Sequence, residues 1–466
     1  MAANGHTFHP TILREYDIRG IVGETLTAED ALALGRTFGS VLHDRGGNSV
    51  AVGFDGRLSS PALVEALVTG LQSTGASVVN IGMGPTPMLY YAARELGTDS
   101  GIMVTGSHNP SEFNGFKMVM FNKAFWGADI QDLGKRSAAA DWRDGNGSVR
   151  TEDVLTRYVD RLAQDFTATR GLKIAWDAGN GAAAEAMVML TERIPGEHIL
   201  LNETVDGTFP AHHPDPTVEK NLEQLKEAVA KEGCDLGVAF DGDGDRVGVV
   251  DGRGRVLWGD QILTVLARDL LERVPGATVI ADVKASDVLF AEVERLGGKP
   301  VMSATGHSII KTKMAELGAA LAGEMSGHIF IGDGYYGFDD GLYAAVRLID
   351  IVARSGKTMA EIRDSLPSVL NTPEIRFEVP EDRKFALVEE IKATLLSGGS
   401  AVNGDVSTVD GVRVKTDDGW WLLRASNTQN VLVVRCESES QDGLERLKSA
   451  VAGHLSERGV DAPADF

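Results

Sequence analysis

This chain lacks long hydrophobic runs, basic tracts and a cysteine framework. No stretch approaches the roughly 18 consecutive apolar residues that a membrane-crossing helix needs, so no membrane partner is expected. Its two cysteines, Cys234 and Cys436, lie far apart without metal-ligand spacing. They read as buried free thiols in a reducing compartment, not as a disulfide scaffold or a zinc centre. The first ten residues show no charged start leading into an apolar stretch, so no secretory signal is read and a cytoplasmic location is expected. Lys and Arg total 45 against 67 Asp and Glu, a formal net charge of −22 with no basic cluster, which argues against a nucleic-acid partner. Such a surface repels anions at long range, so any phosphate site has to be a local basic pocket.

With 43% apolar and 24% charged residues over 466 positions, the chain is globular, and its length alone suggests about three domains. Three segments repeat one theme: Ser49-Val-Ala-Val-Gly-Phe-Asp-Gly-Arg57, Leu172-Lys-Ile-Ala-Trp-Asp-Ala-Gly-Asn-Gly181 and Thr278-Val-Ile-Ala-Asp-Val-Lys-Ala-Ser286. Each is a short apolar strand ending in an aspartate (Asp55, Asp177 or Asp282) and followed by a helix-like stretch with three- and four-residue periodicity. Alternating strands and helices predict parallel sheets covered by helices, with ligands beyond the carboxyl ends of the strands. From Thr372 the pattern changes to several strands and two helices, which predicts a smaller α+β domain with a mostly antiparallel sheet. Boundaries are expected near 150, 253 and 367, giving units 1–150, 151–253, 254–367 and 368–466.

Four polar turns carry chemistry. Thr105-Gly-Ser-His-Asn-Pro110 follows the apolar run 101–104 and places a serine hydroxyl at a strand end, beside a histidine. Phe240-Asp-Gly-Asp-Gly-Asp-Arg246 sets three carboxylates at alternate positions, hard oxygen ligands suited to Mg²⁺. An EF-hand is excluded, because its sixth position would be Arg246 and its twelfth Gly252. Gly323-Glu-Met-Ser-Gly-His-Ile-Phe330 offers Glu324 and Ser326 to neighbouring sugar hydroxyls, and Thr305-Gly-His-Ser-Ile-Ile-Lys311 could add His307 and Lys311 to the same cleft. Arg424-Ala-Ser-Asn-Thr428 combines a forked cation with hydroxyl and amide donors, which suits a dianionic phosphate.

In this order the four turns, with Arg14-Glu-Tyr-Asp-Ile-Arg-Gly20 and Asp206-Gly-Thr-Phe-Pro-Ala-His-His-Pro-Asp-Pro216, resemble the α-D-phosphohexomutase superfamily, specifically its bacterial phosphomannomutase/phosphoglucomutase branch. The resemblance spans nearly the whole chain. It implies an α/β fold of four domains around a central cleft, three repeated α/β domains plus a C-terminal α+β domain, and usually a monomer. It also implies that Ser107 is a phosphoserine and that Asp241, Asp243 and Asp245 hold Mg²⁺ together with the seryl phosphate. Tyr16, Arg19, His108, Lys117 and Lys284 would line the cleft near the reacting phosphate and Arg246 would orient the substrate, while His307 and His328 are read as substrate-binding candidates. Glu324 and Ser326 would grip sugar hydroxyls, and Arg424, Ser426, Asn427 and Thr428 the non-reacting phosphate. His108 and Lys117 are the acid–base candidates, with pKa values expected to be drawn toward neutrality.

The implied reaction interconverts hexose 1- and 6-phosphates through a hexose 1,6-bisphosphate. Met325 in the sugar turn resembles the mannose/glucose enzymes. The alternatives are a phosphoglucosamine mutase and, with a different outcome from the same serine, a sugar phosphatase.

Overall fold

The structure is a computed structural model that describes residues 5–397, 404–427 and 430–462. It contains four sheets in chain order. In the first, Ser49–Phe54 lies between Ser77–Met83 and Ser100–Val104, parallel to both. Phe113–Met120 and Ile18–Ile21 extend it antiparallel on one side, and Val149–Thr151 closes the other. The second sheet pairs Leu172–Asp177 in parallel with Gly196–Leu201 and Leu236–Phe240, then turns antiparallel at Val247–Asp251. The third repeats that plan with Thr278–Asp282 between Lys299–Ser303 and Leu321–Gly323, and Ile329–Ile331 antiparallel at its edge.

The α/β sheets are therefore mixed rather than purely parallel. After each strand that bears a functional turn the chain returns as a hairpin, because the turn is too short for a helical crossover. The fourth sheet is antiparallel throughout its described pairs, as its alternating sequence predicts.

The repeated strand-end aspartates brace the loops that follow them. Asp55 accepts hydrogen bonds from the Gly106 amide at 3.0 Å and the Ser60 hydroxyl at 2.6 Å. Asp177 accepts from Gly179 N and Asn202, and Asp282 from Thr305 Oγ1 and Met325 N. All three are buried, so each carboxylate spends its hydrogen-bonding capacity on holding loop backbone and side chains.

One apolar core runs without a break through the first three units, from Ala51 and Tyr91 through Trp176 and Phe240 to Tyr343 and Leu366. The C-terminal unit has its own core around Leu387, Ile391, Trp421, Val434 and Leu447. It meets the rest through polar contacts and a small cluster of Val283, Trp420 and Leu422. Both cysteines are buried and free. Among the described residues no helix is long and apolar enough to cross a membrane.

Candidate active site

The serine turn is built around an arginine. Ser107 follows the strand Ser100–Val104 in the left-handed region, at φ 48°, an unfavourable place for a residue with a Cβ. Arg57 holds it there. Its guanidinium donates to the carbonyls of Ser107 (2.8 Å), Asn109 (2.6 Å), Pro110 (2.5 Å) and Phe113 (2.9 Å), and to Asp55 Oδ2 at 3.1 Å. A Cβ on Gly106 would sit 2.2 Å from Arg57 Nε, so this position has to be glycine for the guanidinium to lie under the loop. Arg19 braces the other side, donating to the Gly106 carbonyl, to Asn109 Oδ1 at 2.7 Å and to the buried Asp17.

Ser107 Oγ donates to Asp241 Oδ2 at 3.1 Å and lies 3.2 Å from His108 Nδ1. Burial, with Arg246, Arg19 and Lys117 nearby, pushes the His108 imidazole well below its ordinary pKa, so it is neutral.

Asp241, Asp243 and Asp245 offer oxygens that all lie within 4.8 Å of one another, and all three residues are fully buried. Burial and the two neighbouring carboxylates raise the Asp241 pKa well above the usual range. The other two stay ionised despite their burial, helped by Lys117, whose ammonium bonds Asp243 Oδ2 at 2.7 Å and also Asp245. Thr86 (2.5 Å) and Thr105 (3.1 Å) donate to the same Asp243 oxygen. Asp243 Oδ1 accepts no hydrogen bond, and Asp245 Oδ1 faces His328 Nε2 at 3.2 Å. Crowded hard oxygens with capacity to spare fit a small divalent cation beside the serine.

Lys117 differs from expectation. Burial disfavours its charge, yet Asp243 and Asp245 more than compensate, so its pKa is raised instead of drawn toward neutrality. In this arrangement it is a fixed cation.

The turn 323–330 lies against the turn 240–246. Glu324 Oε2 meets His328 Nδ1 at 3.0 Å, and Ser326 Oγ lies 3.1 Å from the same nitrogen. Burial opposes charge on both partners. Asp245 and Glu324 nevertheless lift His328 to about 9, while His328 holds Glu324 at about 2. Arg246 sits against His328 Nε2 at 3.3 Å and Asp241 Oδ2 at 3.8 Å. His307 stacks on His328 with ring centroids 5.5 Å apart. Lys311 is engaged by Asp339 at 2.8 Å.

The C-terminal turn completes the cleft. Arg424 Nε donates to Asp410 Oδ2 at 2.9 Å, an oxygen that also accepts from Thr305 N. Asn427 Nδ2 donates to Tyr16 OH at 2.7 Å, and Tyr16 donates to the Thr305 carbonyl at 2.8 Å. Contacts among Tyr16, Thr305 and Asn427 thus tie the first, third and fourth units together. Lys284 Nζ is 3.0 Å from Glu374 Oε2 and 3.6 Å from Asp282 Oδ2. Ser426 lies on the same turn, and Thr428 lies outside the described residues.

Profiles described as phosphoglucomutase/phosphomannomutase alpha/beta/alpha domains I, II and III match residues 10–133, 156–254 and 258–370, and the C-terminal domain profile matches 374–454. The chain belongs to the phosphoglucomutase/phosphomannomutase family. It is 45% identical over 464 residues to a phosphomannomutase/phosphoglucomutase of Pseudomonas aeruginosa, covering 100% of this chain and 99% of that one. It is 42% identical to a phosphoglucomutase of Neisseria gonorrhoeae over 445 residues, 94% of this chain and 95% of that one. The crystal structure of a phosphoglucomutase/phosphomannomutase family protein from Burkholderia thailandensis superposes with a TM-score of 0.92 at 42% identity, covering 99% of this chain and all of that one. In this family member the four polar turns meet at one cleft, as far as the described residues reach.

Sequence reading missed Arg57, Thr86, Asp339 and Glu374. A signal existed for the first: Asp55-Gly-Arg57 and Asp282-Val-Lys284 each place a cation two residues after the strand-end aspartate.

Proposed function

We propose that the chain transfers a phosphoryl group reversibly between the 1- and 6-positions of mannose or glucose phosphate, with Ser107 as the phosphate carrier. The observation that carries this reading is the buried Ser107 hydroxyl, 3.1 Å from a three-carboxylate cluster with unfilled oxygen capacity. A seryl phosphate there carries nearly two negative charges. Asp241, Asp243 and Asp245 would hold Mg²⁺, which when bound supplies charge neutralisation for the transferring phosphoryl group.

A sugar hydroxyl attacks the seryl phosphorus. The new P–O bond forms as the P–Oγ bond breaks, and the hydroxyl proton passes to a base in the cleft. His108, neutral and beside Oγ, is suited to moving a proton at that oxygen. The resulting hexose 1,6-bisphosphate turns over and returns its other phosphate to Ser107. Arg19 and Lys117 stabilise charge as fixed cations. Arg246, His307 and His328 line the sugar's path, while Glu324 and Ser326 take sugar hydroxyls. Lys284 and Tyr16 contact the substrate within the cleft, and the turn Arg424, Ser426, Asn427 and Thr428 receives the non-reacting phosphate. All four turns come from one chain, which supports a monomer as the working unit.

The test incubates purified protein with mannose, glucose or glucosamine 1-phosphate, Mg²⁺ and a trace of glucose 1,6-bisphosphate, and follows 6-phosphate formation. Turnover of the first two, with phosphate found on the Ser107 peptide by mass spectrometry, is expected. Preference for the amino sugar, or stoichiometric release of free phosphate without 6-phosphate, would overturn the assignment.

A further inference from the structure

The C-terminal sheet has two faces with different jobs. One face, with Trp421, Leu423, Val434 and Cys436, builds that unit's own core. The opposite face carries Arg413, Leu422 and Arg435 in one cross-strand row, with the Trp420–Glu437 pair beside them. Two buried arginines on a sheet face are costly unless their donors are used. Here they are spent on one short loop of the third unit.

Arg413 donates to the carbonyls of Val283 at 2.6 Å and Ala285 at 2.9 Å, and to Asp287 Oδ1 at 2.6 Å. Arg435 donates to the Lys284 carbonyl and lies 3.4 Å from Asp260 Oδ2, which also accepts from Ser286 N at 3.0 Å. Glu437 Oε1 accepts from the Asp287 amide at 3.0 Å and the Trp420 indole at 2.9 Å. The Trp420 ring lies 3.6 Å from the Arg413 guanidinium carbon, in cation–π contact.

Three consecutive carbonyls, 283 to 285, are thus held by side chains of another unit, and the middle one belongs to Lys284. Burial disfavours the Lys284 charge, but Glu374 and Asp282 raise its pKa, so it stays an ammonium, held 3.0 Å from Glu374 Oε2. Fixing its peptide plane fixes the direction in which the side chain leaves the backbone, and Glu374 holds its far end. The strand Gly419–Ala425 that supplies Trp420 and Leu422 also carries Arg424 on the same face, two residues further along. One strand therefore joins the loop clamp to the phosphate turn.

We propose that Arg435 and Arg413 are positioning residues that present Lys284 to the substrate only when the C-terminal unit is seated. Occupancy of the phosphate turn and placement of the Lys284 ammonium are then linked through this strand. The inference rests on the mutase reading for its activity readout.

A double-mutant cycle tests it. Arg435→Ala is expected to lower kcat/KM for glucose 1-phosphate by roughly 10–50-fold in the parent, and by no more than about twofold in a Lys284→Ala background, because positioned groups acting as one unit are non-additive. Arg435→Lys, which keeps charge and stem but loses the fork, serves if the alanine variant does not fold; it should show the same pattern at smaller size. Equal losses in both backgrounds would mean that Arg435 acts by packing alone, and the proposal fails. Amide exchange across 283–288 supplies a readout independent of turnover. Faster exchange there in the Arg435 variant is expected, and unchanged exchange overturns the clamp whatever the activity. Failure of the mutase reading is distinguishable, since it leaves the parent itself without 6-phosphate product.

Discussion

Removing the Arg57 side chain tests whether the serine turn stands by itself or is held by this guanidinium. In the parent, five donor contacts leave a side chain that is fully buried, four to carbonyls and one to Asp55. Arg57→Ala strands three carbonyls, those of Ser107, Asn109 and Phe113, while the Pro110 carbonyl keeps the Phe113 amide at 3.0 Å; each unsatisfied buried group costs about 1–3 kcal/mol. Water entering the vacated space recovers part of this, so the lower figure applies and the sum is about 3 kcal/mol. Asp55 keeps Gly106 N, Ser60 Oγ and the backbone amide of residue 57, and adds little.

For a unit of 150–250 residues, 1 kcal/mol is about 2–4 °C, so the first transition in scanning calorimetry should fall by roughly 6–12 °C. Turnover should fall by about 10²-fold, since displacing a reacting group by ~1 Å costs that much. Arg57→Lys offers three donors in place of the fork and should recover only part of both losses. An alanine variant melting within about 2 °C of the parent, with kcat within roughly threefold, would show that the loop needs no such support.

Three further predictions follow from the same geometry. Ser107→Ala and Ser107→Gly should both lose turnover, yet the glycine variant should melt about 1–3 °C higher, because left-handed backbone costs alanine about 1–2 kcal/mol and glycine's entropy offsets only part of that; a lower melting point for glycine contradicts the strain argument. Adding Mg²⁺ at about 100-fold over its Kd should stabilise the parent by ~2.7 kcal/mol and Asp243→Asn far less, and equal shifts in a thermal melt would remove Asp243 from the cation site. Glu292 is hydrogen-bonded by Arg295, and with Arg268 assisting it is held at about 2 against its ordinary 4.5 despite its burial. A depressed carboxylate contributes stability above pH 4.5 and loses it as pH falls toward 2, so the melting-point gap between parent and Glu292→Gln should be flat above pH 5.5 and shrink below 4.5. A gap independent of pH would refute the pairing.

The four turns were legible because each packs its chemistry into a few consecutive residues after a recognisable strand. Asp241 to Asp245 illustrate this: alternate spacing behind Phe240 is enough to bring three carboxylates together. The hairpin returns in the α/β sheets were not legible, since a short apolar strand reads alike in either direction until its partner is known. Lys117 shows a second limit. Its residue type permits a base, but its charge state depends on Asp243 and Asp245, more than 120 residues away in sequence. Arg57, Arg413 and Arg435 show a third, because a buried arginine and a solvated one look the same in a string.

The amino-acid sequence by itself determined the family, the repeated strand–aspartate units and the strand-end serine turn, because these are properties of short segments. Tertiary structure decided which turns face each other, which cations are spent on carboxylates, and which arginines hold a loop. Those outcomes depend on burial and on distances of about 3 Å between groups as far apart as Tyr16 and Asn427, 411 residues from one another. Electrostatic strength changes several-fold with such burial, and only the packed chain sets it.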